Sequence, residues 1–104
     1  MKTHRRIPPA DRKAEILAAA VSLSRAHGYA RITRDAIAAE AACSTGLIGQ
    51  YFGTMAKLRR AVMGAALALE IPEIIAQGLA ARDPRAMGAP EELKERAIQY
   101  LVGG

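Results

Sequence analysis

Apolar positions recur along most of this chain at helical spacing, and nowhere do they alternate in the two-residue rhythm of a strand. Ile16, Leu17, Ala20, Leu23 and Ser24 make one stripe, with Lys13 and Arg25 outside it. They predict a first helix from Asp11, as N-cap, to about His27, with Gly28 beyond it in left-handed geometry. Tyr29 to Ile32 form a connection in which Ile32 packs inward. Ile37, Ala38 and Ala41 mark a second helix behind Thr33, and Ile48 and Phe52 a third behind Ser44. The hydroxyl at each start can satisfy an orphan backbone N–H. Thr45, Leu47, Gln50 and Tyr51 then fall on other faces, with no core to fill. Gly53 ends the third helix and Thr54 caps a fourth, whose Leu58, Val62, Ala65 and Leu69 form an apolar seam. Pro72 kinks or breaks it, and Ile74, Ile75 and Leu79 resume the pattern over residues 73–82. Residues 83–90 read as a loop by their Pro and Gly content. Glu91 and Glu92 open a final helix with Leu93, Ala97, Ile98 and Leu101 inward, ended by Gly103 and Gly104.

The pattern defines an all-α chain: a three-helix unit containing a helix-turn-helix, a kinked fourth helix, and one or two short C-terminal helices. It divides into a basic arm at residues 1–10, the helix-turn-helix unit at 11–62, and a short helical extension at 63–104 suited to dimerisation. At 104 residues this is one domain, large enough to bury a core. Charge sharpens the division. Residues 1–62 carry eleven Lys/Arg against four Asp/Glu, a net +7, whereas residues 63–104 carry four against six. The N-terminal part suits a polyanion and the C-terminal part does not. The arm, with Lys2, His4, Arg5, Arg6 and the pair Pro8-Pro9, is extended and able to reach phosphates or a minor groove. Glu70, Pro72 and Glu73 interrupt the most apolar stretch, so no membrane span is expected. The single Cys43 fits a reducing cytoplasm and reads as a small apolar residue rather than a reactive thiol.

An enzyme finds no support here. There is no paired His/Asp/Ser arrangement, no metal-ligand cluster and no phosphate-cradling glycine loop, so no cofactor or metal is expected. A short helix whose N-terminal half bears small polar side chains is instead what a major groove admits. The residues point to a helix-turn-helix DNA reader. The competing reading is a helical protein–protein interaction module, or a partner-controlled regulator that does not read DNA by itself.

The chain also resembles the tetracycline-repressor (TetR-type) transcriptional regulators. The resemblance runs over residues 12–62: Arg12 to Ala20, Gly28-Tyr29, Thr33 to Ala38, Ser44-Thr45-Gly46, Tyr51-Phe52 and Leu58. It implies a three-helix DNA-binding unit that acts as a dimer on a palindromic operator, usually as a repressor. By position it implies that Thr33 and Arg34 hold phosphate, and that Ser44 caps a recognition helix spanning residues 44–52. Thr45, Gly46, Leu47 and Gln50 then face base edges, Tyr51 contacts backbone, and Lys57 reaches phosphate. Three positions depart from the pattern. Ala42 stands where the turn usually has Gly, Gly49 where an aromatic is usual, and Met55 where Lys is usual, with Lys57 two residues on. About forty residues follow Val62, too few for a bundle with a sizeable ligand pocket, so no small-molecule inducer is expected. In this the chain resembles short plasmid- or prophage-borne members of the family.

Overall fold

The computed structural model describes residues 8–103, so the basic arm's Lys2, His4, Arg5 and Arg6 lie outside the described residues. Within them are seven helices and no strand: α1 (Pro9–His27), α2 (Arg34–Ala41), α3 (Thr45–Phe52), α4 (Met55–Leu69), α5 (Pro72–Ala80), α6 (Pro84–Met87) and α7 (Glu91–Gly103). The all-α architecture holds. Its first helix starts two residues earlier than the sequence suggested. Pro9, at the first helical position, has its φ preset and no N–H to leave orphaned, so α1 opens there and takes in the last two residues assigned to the arm. Asp11 lies in the first turn beside the positive end of the helix dipole, instead of capping it. Gly28 has the expected positive φ of 98°, but with ψ 133° it swings the chain outward into the connection.

One continuous core joins the first four helices. Ile16, Ala19 and Ala20 of α1 share it with Ile37 and Ala38 of α2, Ile48 and Phe52 of α3, and Leu58 and Val62 of α4. Ile32 is buried as anticipated, and buried Ser24 donates its hydroxyl to Ala20 O at 2.7 Å. The seam of α4 is shifted, however. Leu58 and Val62 are fully buried, but they continue into Met63 and Ala66, while Ala65 is half-buried and Leu69 is 67% exposed. Nearly every residue from Ala61 to Leu69 is apolar, so periodicity offers two adjacent stripes. Packing against α5 and α6 selects one of them.

Three helices end on a left-handed residue that is not glycine. At Ala42, Glu70 and Arg82, φ is 56°, 56° and 59°. At each, the next residue's N–H reaches back five residues, Cys43 to Ala38 O, Ile71 to Ala66 O and Asp83 to Gly78 O, at 2.8–2.9 Å. These are Schellman closures, which satisfy carbonyls that the helix leaves orphaned. The closure at Glu70 ends α4 before Pro72, and Pro72 then serves as the first residue of α5, giving a break rather than a kink. The expected loop over residues 83–90 contains the one-turn α6. Asp83 caps it by accepting from Arg85 N–H at 2.9 Å, and its Ala86 is fully buried. A Cβ on Gly78 would lie 2.5 Å from Met63 Cε and 2.7 Å from Ala86 Cβ, so this glycine lets α5 approach both neighbours.

Leu93 and Ala97 seat α7 against α5. Ile98 and Leu101, also expected inward, are about half exposed, as is Tyr100, and Val102 is 82% exposed. Leu101 continues the stripe of Leu93 and Ala97, but among the described residues no helix covers it. A polar clasp ties the α1–α2 connection to α5 and the turn beyond it. Tyr29 N–H donates to Gln77 Oε1 at 2.7 Å, Gln77 Nε2 donates to Ser24 O at 3.0 Å, and Tyr29 OH donates to Asp83 Oδ2 at 2.8 Å. Arg25 pairs with Glu73 at 2.8 Å beside it. Glu73's own backbone N–H holds its carboxyl below the usual range, with Arg25 adding to that and burial opposing it.

Burial, and then the bond to Asp83, pushes the Tyr29 phenol up to about 12 from 10.0. A raised phenol means that the unfolded chain ionises first. The clasp's contribution is therefore complete below about pH 10 and is lost as pH rises toward about 12. Urea denaturation of Tyr29→Phe should show a shallower alkaline loss of stability than the parent, with about 1 kcal/mol less stability at neutral pH from the missing hydrogen bond. An unchanged alkaline slope would show that another group governs it.

Candidate nucleic-acid interface

The α2–α3 pair is set by its caps and its turn. Thr33 Oγ1 accepts Ala36 N–H at 3.1 Å, and Ser44 Oγ accepts Leu47 N–H at 3.2 Å. Thr54 Oγ1 does the same for Lys57 N–H at 3.1 Å at the head of α4. Thr33 and Ser44, both assigned to the site, thus use their hydroxyl oxygens to start helices. Between them, Ala42 sits at φ 56°, ψ 48°, where its Cβ crowds the backbone. Cys43 is half-buried against the core.

With Ile48 and Phe52 buried, α3 is seated by one side. Lys13 of α1 lies over the Phe52 ring, 5.4 Å from its centroid, and adds a cation–π contact to that seat. On the outer side Thr45, Gly46 and Gln50 are exposed. Leu47 and Tyr51 are not free of the core as expected; both are half-buried and pack on it. The core of a small domain is narrow, and an eight-residue helix lying on it contacts it with more than one stripe.

Arg34, expected to hold phosphate at the start of α2, sends its side chain across to α3, where Nη2 donates to Gly53 O at 3.1 Å. Lys57 approaches the same residue from α4: a Cβ built on Gly53 would lie 3.9 Å from Lys57 Nζ. Three cations, Lys13, Arg34 and Lys57, therefore converge from three helices on the C-terminal end of α3. The ion pairs among the described residues are Arg12–Glu15, Arg25–Glu73, Lys94–Glu91 and Arg96–Glu70, and none uses these three cations. Cations about this end complement the negative pole of the helix dipole and also favour an added anion.

Residues 16–62 match the family model of the bacterial regulatory proteins of the tetR family. The match supports a DNA-binding transcription regulator, and it spans α2, α3 and most of α1 and α4. No curated protein and no solved structure matches the chain significantly. Within the tetR-type segment, the sequence reading missed Lys13 and the relation between Arg34 and Gly49. Lys13 was visible only as a charge outside the first stripe. The closeness of Arg34 to Gly49 has no periodic signal, because it depends on how α2 crosses α3. Among the described residues no group of three His, Cys, Asp or Glu is placed to hold a metal, and no helix is long and apolar enough to cross a membrane.

The turn yields a stability prediction. Ala42→Gly should raise unfolding stability by about 1 kcal/mol, since relief of the left-handed alanine outweighs the added freedom of the unfolded chain. Urea denaturation measures it, and a loss of stability would mean that the Ala42 methyl is doing something the backbone geometry does not reveal.

Proposed function

We propose that the protein is a transcription regulator, a repressor that binds a palindromic operator as a homodimer and inserts α3 in the major groove. The observation that carries this reading is the surface of α3: exposed Thr45, Gly46 and Gln50 along it, and about Phe52 and Gly53 the cations Lys13, Arg34 and Lys57, in no ion pair among the described residues. Small side chains let the helix approach base edges, and Gln50 can make a bidentate contact to adenine. Gly46 holds nothing between the helix and the groove. Lys57, Lys13 and Arg34 supply the phosphate neutralisation on which affinity depends. Thr33, Ser44, Leu47 and Tyr51 take supporting parts, the first two through helix starts and the last two through partial contact at the helix edge.

Dimerisation stays with the extension over residues 63–104. Leu58, Val62, Ile74 and Ile75 are fully buried within one chain and have nothing left to offer a partner. Exposed Ile98, Tyr100, Leu101 and Val102 on α7, with Leu69 on α4 and Met87 on α6, are the large apolar groups left for a second copy. We further propose action without a small-molecule inducer, in the manner of short plasmid- or prophage-borne regulators, in the cytoplasm and without enzymatic chemistry. Supporting this, Ile74, Ile75, Ala86, Leu93 and Ala97 pack α4–α7 onto one another, the hollow beside α7 is lined mainly by polar residues such as Glu70, Glu92, Glu95 and Arg96, and the apolar groove of Leu17, Val21, Ala65 and Leu69 between α1 and α4 lies open at the surface.

Selection of bound duplexes from a random pool tests the reading. A palindromic consensus is expected, whereas failure to retard any duplex at low salt would overturn it in favour of a protein-interaction module. Against the selected site, Gln50→Ala should cost about 1–3 kcal/mol and relax preference at one base position. Lys57→Ala should weaken all sequences alike and make the salt dependence shallower by about one unit of slope. A uniform loss for Gln50→Ala would remove its base-reading role.

A further inference from the structure

Gly49 and Arg34 are two parts of one device. Gly49 lies mid-way along α3 with ordinary helical geometry, so nothing in its backbone calls for glycine, and a glycine there weakens a short helix. The space beside it explains the residue. A Cβ built on Gly49 would lie 2.7 Å from Arg34 Nη1 and 3.9 Å from its Cζ. The guanidinium therefore rests directly on the helix surface where a side chain would be, and its other nitrogen, Nη2, donates to Gly53 O at the end of the same helix. The contact at Gly49 is with the free end of a flexible side chain. A methyl there would displace the guanidinium without disturbing the backbone.

A guanidinium carries five N–H donors in a planar fork matched to a phosphate, and the Gly53 carbonyl takes one of them. Lys57 approaches the same residue, its Nζ 3.9 Å from where a Gly53 Cβ would lie, and neither cation joins any of the ion pairs among the described residues. We propose that Gly49 is the seat that makes Arg34 part of the recognition helix, fixing the far end of α3 through Gly53 and presenting its other donors to a DNA phosphate beside Lys57. The proposal rests on the DNA-binding reading and goes beyond it. It assigns Gly49 a role in binding that involves no contact of its own with DNA, and it moves the phosphate contact of Arg34 from the start of α2 to the end of α3.

The test uses the full chain, a labelled pool of mixed-sequence duplexes, and the variants Gly49→Ala, Arg34→Ala and their combination. Thermal unfolding followed by circular dichroism accompanies each binding series. Gly49→Ala should melt at the same temperature as the parent or higher, because alanine favours the helix. It should nevertheless bind the pool several-fold more weakly, by the same factor as Arg34→Ala. Its salt dependence should be shallower by about 0.9 in log–log slope, the mark of one lost phosphate. The double variant should bind no worse than either single one, since both remove the same contact. Parental affinity and slope in Gly49→Ala, or losses that multiply in the double variant, would overturn the seat while leaving DNA binding intact. A parent that does not bind the pool at low salt would overturn the DNA reading itself, and this proposal with it.

Discussion

Helix α3 cannot stand alone, and the rest of the structure follows from that constraint. With eight residues it is shorter than the roughly 12–15 that an isolated helix needs to be even marginal in water. It also contains Gly46 and Gly49, each costing about 1 kcal/mol relative to alanine in a helix interior. Burial of Ile48 and Phe52 offsets this, at about 1.5–3 kcal/mol for each side chain. The seat that receives them is built by Ile16 and Ala20 of α1, Ile37 of α2 and Leu58 of α4. Caps at Ser44 and Gly53 fix the two ends, and Lys13 closes over the Phe52 ring. The outer face of α3 is therefore free to be small and polar because its inner face carries the stability.

The same constraint joins the C-terminal helices to the unit that seats α3. Val62, Met63 and Ala66 extend the core that holds α3 into the one that holds α5 and α6. The Tyr29–Gln77–Asp83 clasp and the Arg25–Glu73 pair then join the α1–α2 connection to α5 from the other side. Gly78 lets that joint close without a gap. Only the last two turns of α7 are left over, and there the apolar residues face outward.

How much of this was legible in the sequence depends on how local each feature is. The hydroxyl caps at Thr33, Ser44 and Thr54 were readable because a cap is a contact between a residue and its neighbour three positions on. Ile16, Ile37, Ile48 and Phe52 were readable because each repeats at helical spacing with another apolar residue of its helix. In α4 and α7 that contrast fails. Met63 and Ala66 could not be separated from Ala65 and Leu69, and Leu101 could not be seen to lie beyond its partner, because burial there is decided by the neighbouring helix. The turn was half legible: the absence of glycine at position 42 was plain, and the chain resolved it by accepting a left-handed alanine. That Glu70 and Arg82 make the same choice was not readable, since neither side chain favours that conformation. The site was legible to the same degree. Exposed Thr45, Gly46, Gln50 and Lys57 stand where expected, whereas the direction taken by Arg34 depends on the absence of a side chain on another helix.

That last point bears on how charge is arranged over the molecule. Arg25, Lys94 and Arg96 are matched with carboxylates on the faces that the C-terminal helices share or border, and such exposed pairs contribute little to stability. Lys13, Arg34 and Lys57 join no ion pair among the described residues and lie about Phe52 and Gly53, Arg34 on the Gly53 carbonyl and Lys13 over the Phe52 ring. Folding alone has no use for such a cluster, since mutual repulsion offsets part of what the dipole gives. On the proposed reading a polyanion reverses the balance, because the phosphates it brings to these cations release their counterions. The cations about Phe52 and Gly53 would then supply affinity, and exposed Thr45, Gly46 and Gln50 would be left to discriminate.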